Sequence, residues 1–383
     1  MNIDTLALKY RPTKLSDLIG QESVVTTLTN AFNSKNLYPC YLFSGSFGCG
    51  KTSSARILAA MENCEKGPTL EPCGECSNCK EIFSGESMDI REINAASTNG
   101  IEDIRNIIDY VRTSPLKAKT KYVILDECHA LSKQAVESSL KILEEPPEHV
   151  RFILCTTDLH KIKGTIQSRG MPFRFSKVHW AEITNYLKTI CEKEGFKAED
   201  GALRIAAKLS DGSVRNSLRN LQLIKNFAGD NPLSVDIAQR ALGAVSDAQW
   251  FDLIDAIVGK NVPAAMLILQ DTLNKGVDVE QVLHGLTDHL RNLLLLTTCK
   301  DPGGNGQTIN VSGLVYFNQE EKQRYIHQLE KITADLISEM ITMLYEIHRG
   351  ITVNMNPQVL LENYIIKSIQ THSEIQKKII QKQ

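Results

Sequence analysis

Gly45-Ser46-Phe47-Gly48-Cys49-Gly50-Lys51-Thr52 is the stretch from which the rest of this chain is read. A glycine, four residues, then glycine, lysine and threonine is the spacing of a phosphate-binding loop. The apolar run Cys40-Tyr41-Leu42-Phe43-Ser44 before it reads as a buried strand. Ser53 to Met61 after it, rich in alanine and leucine, reads as a helix. Glycines let such a loop wrap with its N–H groups inward, so a triphosphate would meet those donors and the positive end of the helix. Lys51 would reach the β and γ phosphates, and Thr52 would offer its hydroxyl to Mg²⁺. Gly45, Ser46, Phe47, Gly48, Cys49, Gly50, Lys51, Thr52 and Ser53 are the candidate ATP-binding residues. A glycine-rich turn without nucleotide is the plainer alternative. Strand, loop and helix in that order, with every fixed position filled, count against it.

The 383 residues leave room for about two or three domains and a sizeable core. Hydrophobic residues make up 42% and charged residues 23%, values of an ordinary globular chain. No apolar run reaches the roughly eighteen residues that a membrane span needs, and the N-terminus lacks the pattern of a signal peptide. The expectation is a cytoplasmic protein without a membrane partner. A net charge of −2 argues against coating nucleic acid by bulk electrostatics, so any DNA contact would be local or shared.

Of the ten cysteines, four fall as Cys64-x8-Cys73-x2-Cys76-x2-Cys79. Cytosolic thiols at this spacing are metal ligands more often than disulfides, and four thiolates suit tetrahedral Zn²⁺. An iron–sulfur run would need a further cysteine followed by proline, whereas Lys80-Glu81 come next. With all four ligands from the protein, the zinc would be structural.

Met88 to Ile93 reads as a second strand, and Ile101 to about Arg112 as a helix with Thr98 and Asn99 as caps. Lys121-Tyr-Val-Ile-Leu-Asp126-Glu127 is a buried strand ending in two carboxylates, the form of a Walker B element. Asp126 would hold Mg²⁺ together with Thr52, while Glu127 would orient and deprotonate the attacking water. Leu131 to Glu145 reads as a helix closed by Pro146-Pro147, and Val150 to Cys155 as a strand ending at Thr156-Thr157. Thr157 could touch the γ phosphate or the water, or be only an exposed strand end. Ser168-Arg169 follow shortly, ahead of a last short strand at Pro172-Phe-Arg-Phe.

The N-terminal segment Leu6 to Gln21, broken at Arg11-Pro12 and ending Ile-Gly-Gln, resembles the adenine-binding segment of AAA+ clamp-loader ATPases. Leu8, Tyr10, Arg11, Pro12 and Ile19 match it. Residues 1 to about 243 resemble the gamma/tau family of bacterial DNA polymerase III subunits. The matching signs are Tyr-Leu-Phe-Ser-Gly before the loop, the internal four-cysteine insertion, Leu-Asp-Glu, Leu-Glu-Glu-Pro-Pro-Glu-His and Thr-Thr-Asp. Cys128 and Ala130 depart from the usual Asp-Glu-Val-His-Met-Leu, and Gly170 replaces the cysteine of Ser-Arg-Cys, where it could loosen its neighbour. The resemblance implies that Arg169 reaches a neighbouring subunit's nucleotide, although alone it would pass for a surface salt bridge. It further implies that Arg215, in Gly212-Ser213-Val214-Arg215, senses the phosphates from a helical lid, with Val214 against the adenine.

The expected architecture is α/β: an AAA+ P-loop domain with a parallel sheet over residues 1–178, carrying the zinc insertion at 64–79. A helical lid over 179–243, an all-α collar over 244–370 and a charged tail over 371–383 would follow. Within the collar, Val279, Val282, Leu283, Leu286, Leu290, Leu293 and Leu294 trace an apolar stripe, by default the domain's own core. Glu320 to Ile351 reads as one long helix and Lys300 to Gln307 as a flexible loop. No proline-rich linker follows, which suggests a short, gamma-like form. By resemblance the chain would be the ATP-driven motor that opens a sliding clamp and loads it onto primer–template DNA without sequence preference. Its partners would be other copies of itself and delta- and delta-prime-like subunits in a heteropentameric ring. The helix starts near Thr98-Asn99-Gly100 and Ser132-Lys133 would face the DNA phosphates. The rivals are a non-hydrolysing stator or scaffold subunit, another AAA+ DNA-remodelling ATPase, and, most remote, a P-loop nucleotide kinase.

Overall fold

The computed structural model describes residues 5–97, 100–274, 277–298 and 319–381. The chain divides into two compact units, Met1–Ala238 and Gln239–Gln383.

The first unit is built on five strands: β1 (Cys40–Gly45), β2 (Ile90–Asn94), β3 (Lys121–Asp126), β4 (Val150–Thr156) and β5 (Met171–Phe175). They pair in parallel in the order β2-β3-β4-β1-β5. Parallel strands need crossovers that cover both faces, which is why the central strands read as unbroken apolar runs. Tyr41, Phe43, Tyr122, Ile124 and Ile153 bury one face against the helices Glu22–Asn33 and Lys51–Asn63. Leu42, Val123, Leu125, Phe152 and Leu154 bury the other face against Ile101–Arg112 and Lys133–Glu144. All five C-terminal strand ends lie along one edge, and β4 is inserted between β3 and β1. That edge is where open α/β sheets bind ligands.

The same unit includes the helices Trp180–Glu194, Asp200–Lys208 and Val214–Ala228. Ser213 starts the last of these, its hydroxyl accepting from the Asn216 N–H at 3.2 Å.

The second unit is helical, with segments Asp247–Val258, Val262–Asn274, Val279–Thr298, Gln319–Leu329, Ala334–Thr352 and Pro357–Ile380. Val282, Leu283, Leu286, Leu290 and Leu293 of the expected stripe are buried in this unit's own core with Trp250, Phe251 and Met340. The single helix expected over Glu320–Ile351 is two helices. Thr333 caps the second by accepting from the Leu336 N–H at 3.3 Å, and Ile332 is buried in the break. The tail expected from 371 is instead helical to Ile380, because buried His372 and the packed Ile375 continue the inward face of the last helix. Loop residues 300–307, like Thr98 and Asn99, lie outside the described residues.

Candidate nucleotide site and metal centre

The phosphate loop leaves β1 at Gly45 and enters the helix Lys51–Asn63. Gly48 (φ 72°) and Gly50 (φ 106°) adopt the left-handed backbone that glycine tolerates. A Cβ on Gly48 would stand 2.2 Å from Ser213 Oγ, so the loop also needs glycine for close approach of the helix Val214–Ala228. Lys51 is buried and donates from Nζ to the Gly45 and Ser46 carbonyls, each at 2.8 Å. Its ammonium therefore sits over the loop that would wrap a phosphate. Thr52 Oγ1 donates to Asp126 Oδ2 at 2.9 Å, joining the loop to the end of β3.

Glu127 follows Asp126 with φ 50°, left-handed for a residue with a side chain. Its Oε2 accepts from Thr157 Oγ1 at 2.7 Å and from the Thr157 N–H at 3.3 Å. His129 Nδ1 lies 3.3 Å from the same oxygen and 3.1 Å from Thr156 Oγ1. No motif in the sequence singles out this histidine. Its signal was its place in the short turn Cys128–Ala130 directly behind the acidic pair. Burial pushes the Cys128 thiol up to about 12, with Glu127 and Asp126 adding to the effect, so it stays neutral beside the carboxylates.

The matched N-terminal residues surround this edge unequally. Arg11 is half-buried, its Nε 3.4 Å from Ser53 Oγ, and burial followed by the nearby Arg56 charge lowers its pKa. Tyr10 donates its hydroxyl to Glu194 at 2.5 Å, a bond that raises its pKa to about 12. Pro12 and Ile19 are half-buried and Leu8 is exposed. Gln21 exchanges two hydrogen bonds with the Ser176 backbone at 2.8 and 3.0 Å and so ties the Ile19-Gly20-Gln21 turn to the end of β5. Val214 is half-buried. The guanidinium of Arg215 lies 5.4 Å from the centre of the exposed Phe47 ring, and the Arg215 backbone N–H donates to the Gly48 carbonyl at 3.4 Å. Arg215 is thus brought to the loop.

Arg169 stands apart from this group. Its Nη2 pairs with Glu144 Oε2 at 2.8 Å, Nη1 donates to the Thr165 carbonyl at 2.6 Å, and Nε is buried without a partner among the described residues. At Gly170 a Cβ would come 2.9 Å from Leu42 Cβ, so glycine allows the backbone to approach β1 closely. Lys133 is exposed at the first turn of its helix, which Ser132 caps by accepting from the Ala135 N–H at 3.2 Å. Gly100 begins the helix Ile101–Arg112, with its N–H donated to Asp103 at 3.1 Å.

Cys64, Cys73, Cys76 and Cys79 converge, their sulfurs within 4.8 Å of one another. Ligand arms of about 2.3 Å in a tetrahedron place sulfurs roughly 3.8 Å apart, and Cys73 and Cys79 stand at 4.0 Å. The donor set fits a closed four-thiolate site. The Cys76 N–H points at the Cys73 sulfur and the Cys79 N–H at the Cys76 sulfur, each at 3.4 Å. N–H groups of Glu75 and Cys76 pull the Cys73 pKa down to about 6, whereas burial pushes Cys79 up. Arg56 anchors the insertion to the sheet, donating to the Phe83 carbonyl and to Glu92 of β2, both at 2.7 Å.

A phosphate-binding loop after β1, an acidic pair after β3 and polar residues closing β4, on a parallel β2-β3-β4-β1-β5 sheet, define the AAA+ class. The family described as DNA polymerase III, delta subunit, matches residues 20–179, and domain III of DNA polymerase III subunits gamma and tau matches residues 233–380. The tau subunit of Bacillus subtilis is 36% identical over 371 residues, 97% of this chain and 64% of that protein. That of Escherichia coli is 37% identical over 305 residues, 80% of this chain and 47% of that one. The gamma subunit of Buchnera aphidicola from Acyrthosiphon pisum is 34% identical over 347 residues, 91% of this chain and 92% of that one. The chain belongs to the gamma/tau family of DNA polymerase III subunits, and it spans between about half and two thirds of the tau subunits it matches. Among solved structures, the Thermotoga maritima RuvB branch migration motor overlaps with a TM-score of 0.48 at 19% identity, over 65% of this chain and 79% of that one. Among the described residues, no helix is long and apolar enough to cross a membrane.

Proposed function

We propose that this chain is an ATP-hydrolysing motor subunit of a clamp loader, opening a sliding clamp and setting it on primer–template DNA. The observation that carries the reading is the Thr52–Asp126 hydrogen bond beside a separately held Glu127, which provides distinct oxygens for a cation and for a proton. Lys51 and the loop N–H groups bind the phosphates. Arg11, with Leu8, Tyr10, Pro12, Ile19 and Val214, borders the base. Thr52 and Asp126 hold Mg²⁺, which draws charge from the phosphate oxygens when bound. Glu127 takes a proton from the attacking water, Thr157 orients both, and Arg215 reads the phosphates from the lid of residues 179–243. Zn²⁺ at the four cysteines fixes the insertion and takes no part in the reaction.

Assembly joins further copies of the chain and delta- and delta-prime-like subunits in a five-membered ring, with 244–370 as collar and Arg169 serving a neighbour's site. Helix starts at Gly100 and Ser132-Lys133 meet DNA phosphates by shape. The stator alternative needs no catalytic carboxylate, so the intact Lys51, Asp126 and Glu127 disfavour it. The deciding experiment measures ATP affinity and turnover of Glu127→Gln. Retained binding with turnover lowered by orders of magnitude supports the motor reading. Wild-type turnover in that variant, or none in the native protein assembled with its partners, removes it.

A further inference from the structure

Among the described residues, the polar contacts of the Glu127 carboxylate fall on one of its two oxygens. Thr157 Oγ1, the Thr157 N–H and His129 Nδ1 converge on Oε2, and none of them is made to Oε1. From this we infer that His129 is a positioning residue for ATP hydrolysis, holding Glu127 by Oε2 so that Oε1 stays available to the water's proton. The inference rests on Glu127 being the base, as proposed above.

A carboxylate oxygen only accepts, so the His129 nitrogen 3.3 Å from it carries hydrogen; the aligned acceptor of that hydrogen is Thr156 Oγ1, and Glu127 Oε2 lies beside it as a second acceptor. Thr156 Oγ1, 3.1 Å from the same nitrogen, then gives its own hydrogen to the Asp158 carbonyl, also at 3.1 Å, and accepts from the Asp158 N–H at 3.0 Å. Every hydrogen has an acceptor in this arrangement. Thr156 is fully buried at the end of β4, so the imidazole is steadied by the sheet. Glu127 needs such support. Its left-handed backbone costs about 1–3 kcal/mol and persists only where neighbours over-determine it. The β4 end between β3 and β1 also gives the direction: donors on Thr157 draw the carboxylate from its own strand toward the phosphate loop.

Three substitutions separate positioning from simple packing. Asparagine can put an N–H where Nδ1 stands, glutamine puts one near Nε2, and leucine offers none. ATP hydrolysis is measured on the full chain and on the complex it forms with its partner subunits, together with ATP affinity and thermal unfolding. His129→Leu and His129→Gln should lower kcat about 10- to 100-fold, the scale expected of a misplaced catalytic group, with the KM for ATP little changed. His129→Asn should retain most of kcat. Wild-type kcat in His129→Leu overturns the inference, and so does His129→Asn losing as much as His129→Gln while both melt like the wild type. Glu127→Gln run beside them keeps the two claims apart. If it turns over ATP normally, the base assignment fails. If it is inactive while His129→Leu is unaffected, only the positioning role fails.

Discussion

Thr52 and Asp126 share a 2.9 Å hydrogen bond that links the first turn of the phosphate-loop helix to the end of β3, two places far apart in the chain. A cation bound there would take an oxygen from each, so the two residues should fail together. Thr52→Ala and Asp126→Asn should each weaken Mg²⁺-dependent ATP binding, and the double variant should lose less than the sum. Titrating ATP with and without Mg²⁺ checks this, and full additivity would mean that the pair does not act as a unit.

Lys51 now satisfies its ammonium on the Gly45 and Ser46 carbonyls. Exchanging them for phosphate makes charge-assisted bonds worth about 1.5–3 kcal/mol, so Lys51→Ala should weaken ATP binding about 10- to 100-fold. Calorimetric affinity equal to wild type would exclude that contact.

For the four cysteines, elemental analysis of protein prepared without chelator should find about one Zn²⁺ per chain. Chelation or Cys73→Ser should speed proteolysis within 64–79 while ATP still binds. Iron in the preparation, or no metal, would refute the assignment.

Asp89 offers a stability test remote from the site. Its buried carboxylate accepts from the Leu116, Lys117 and Ala118 N–H groups at 2.8 to 3.1 Å. Burial pushes its pKa up, but the three backbone donors outweigh that and hold it below the ordinary carboxylate value. A lowered folded pKa means that this stabilisation is present above the unfolded value and disappears as pH falls through the folded one. Asp89→Asn should therefore cost about 1.5–3 kcal/mol near neutral pH. In denaturant titrations its deficit should shrink below about pH 4; a constant deficit down to pH 2 would contradict the account.

Arg169 is engaged within its own chain by Glu144. If it serves a neighbour's nucleotide it must leave that partner, so Arg169→Ala should keep ATP affinity and lose DNA-stimulated turnover in the complex. Mixed with Lys51→Ala chains, it should regain part of the ATPase, because intact loops would then face intact arginines. Verified mixed assembly without recovery would make Arg169 a surface ion pair only. Glu144→Gln, which leaves the arginine in place, should not abolish turnover.

Gly45 to Thr52, Asp126-Glu127 and the four cysteines could be read from the amino-acid order because each is local. A few adjacent residues fix the turn, the strand end or the metal spacing, and side-chain chemistry does the rest. The parallel sheet was legible for a related reason, since strands buried on both faces must be continuous apolar runs. The partners of those residues were not legible. Glu127 meets Thr157 and His129 meets Thr156 because β3 pairs with β4 in the register Leu125 to Leu154, which sets the residues beyond both strand ends side by side. Ser213 closes on Gly48, and Arg169 on Glu144, only once helices distant in sequence have packed. The last helix runs on to Ile380 for the same kind of reason: Glu374, Lys377 and Lys378 look like a solvated end when read in line, whereas His372 and Ile375 face a core that packing creates. Motifs follow from neighbours along the chain, while the pairings that make them a site follow from strand order and helix packing, which no short stretch encodes.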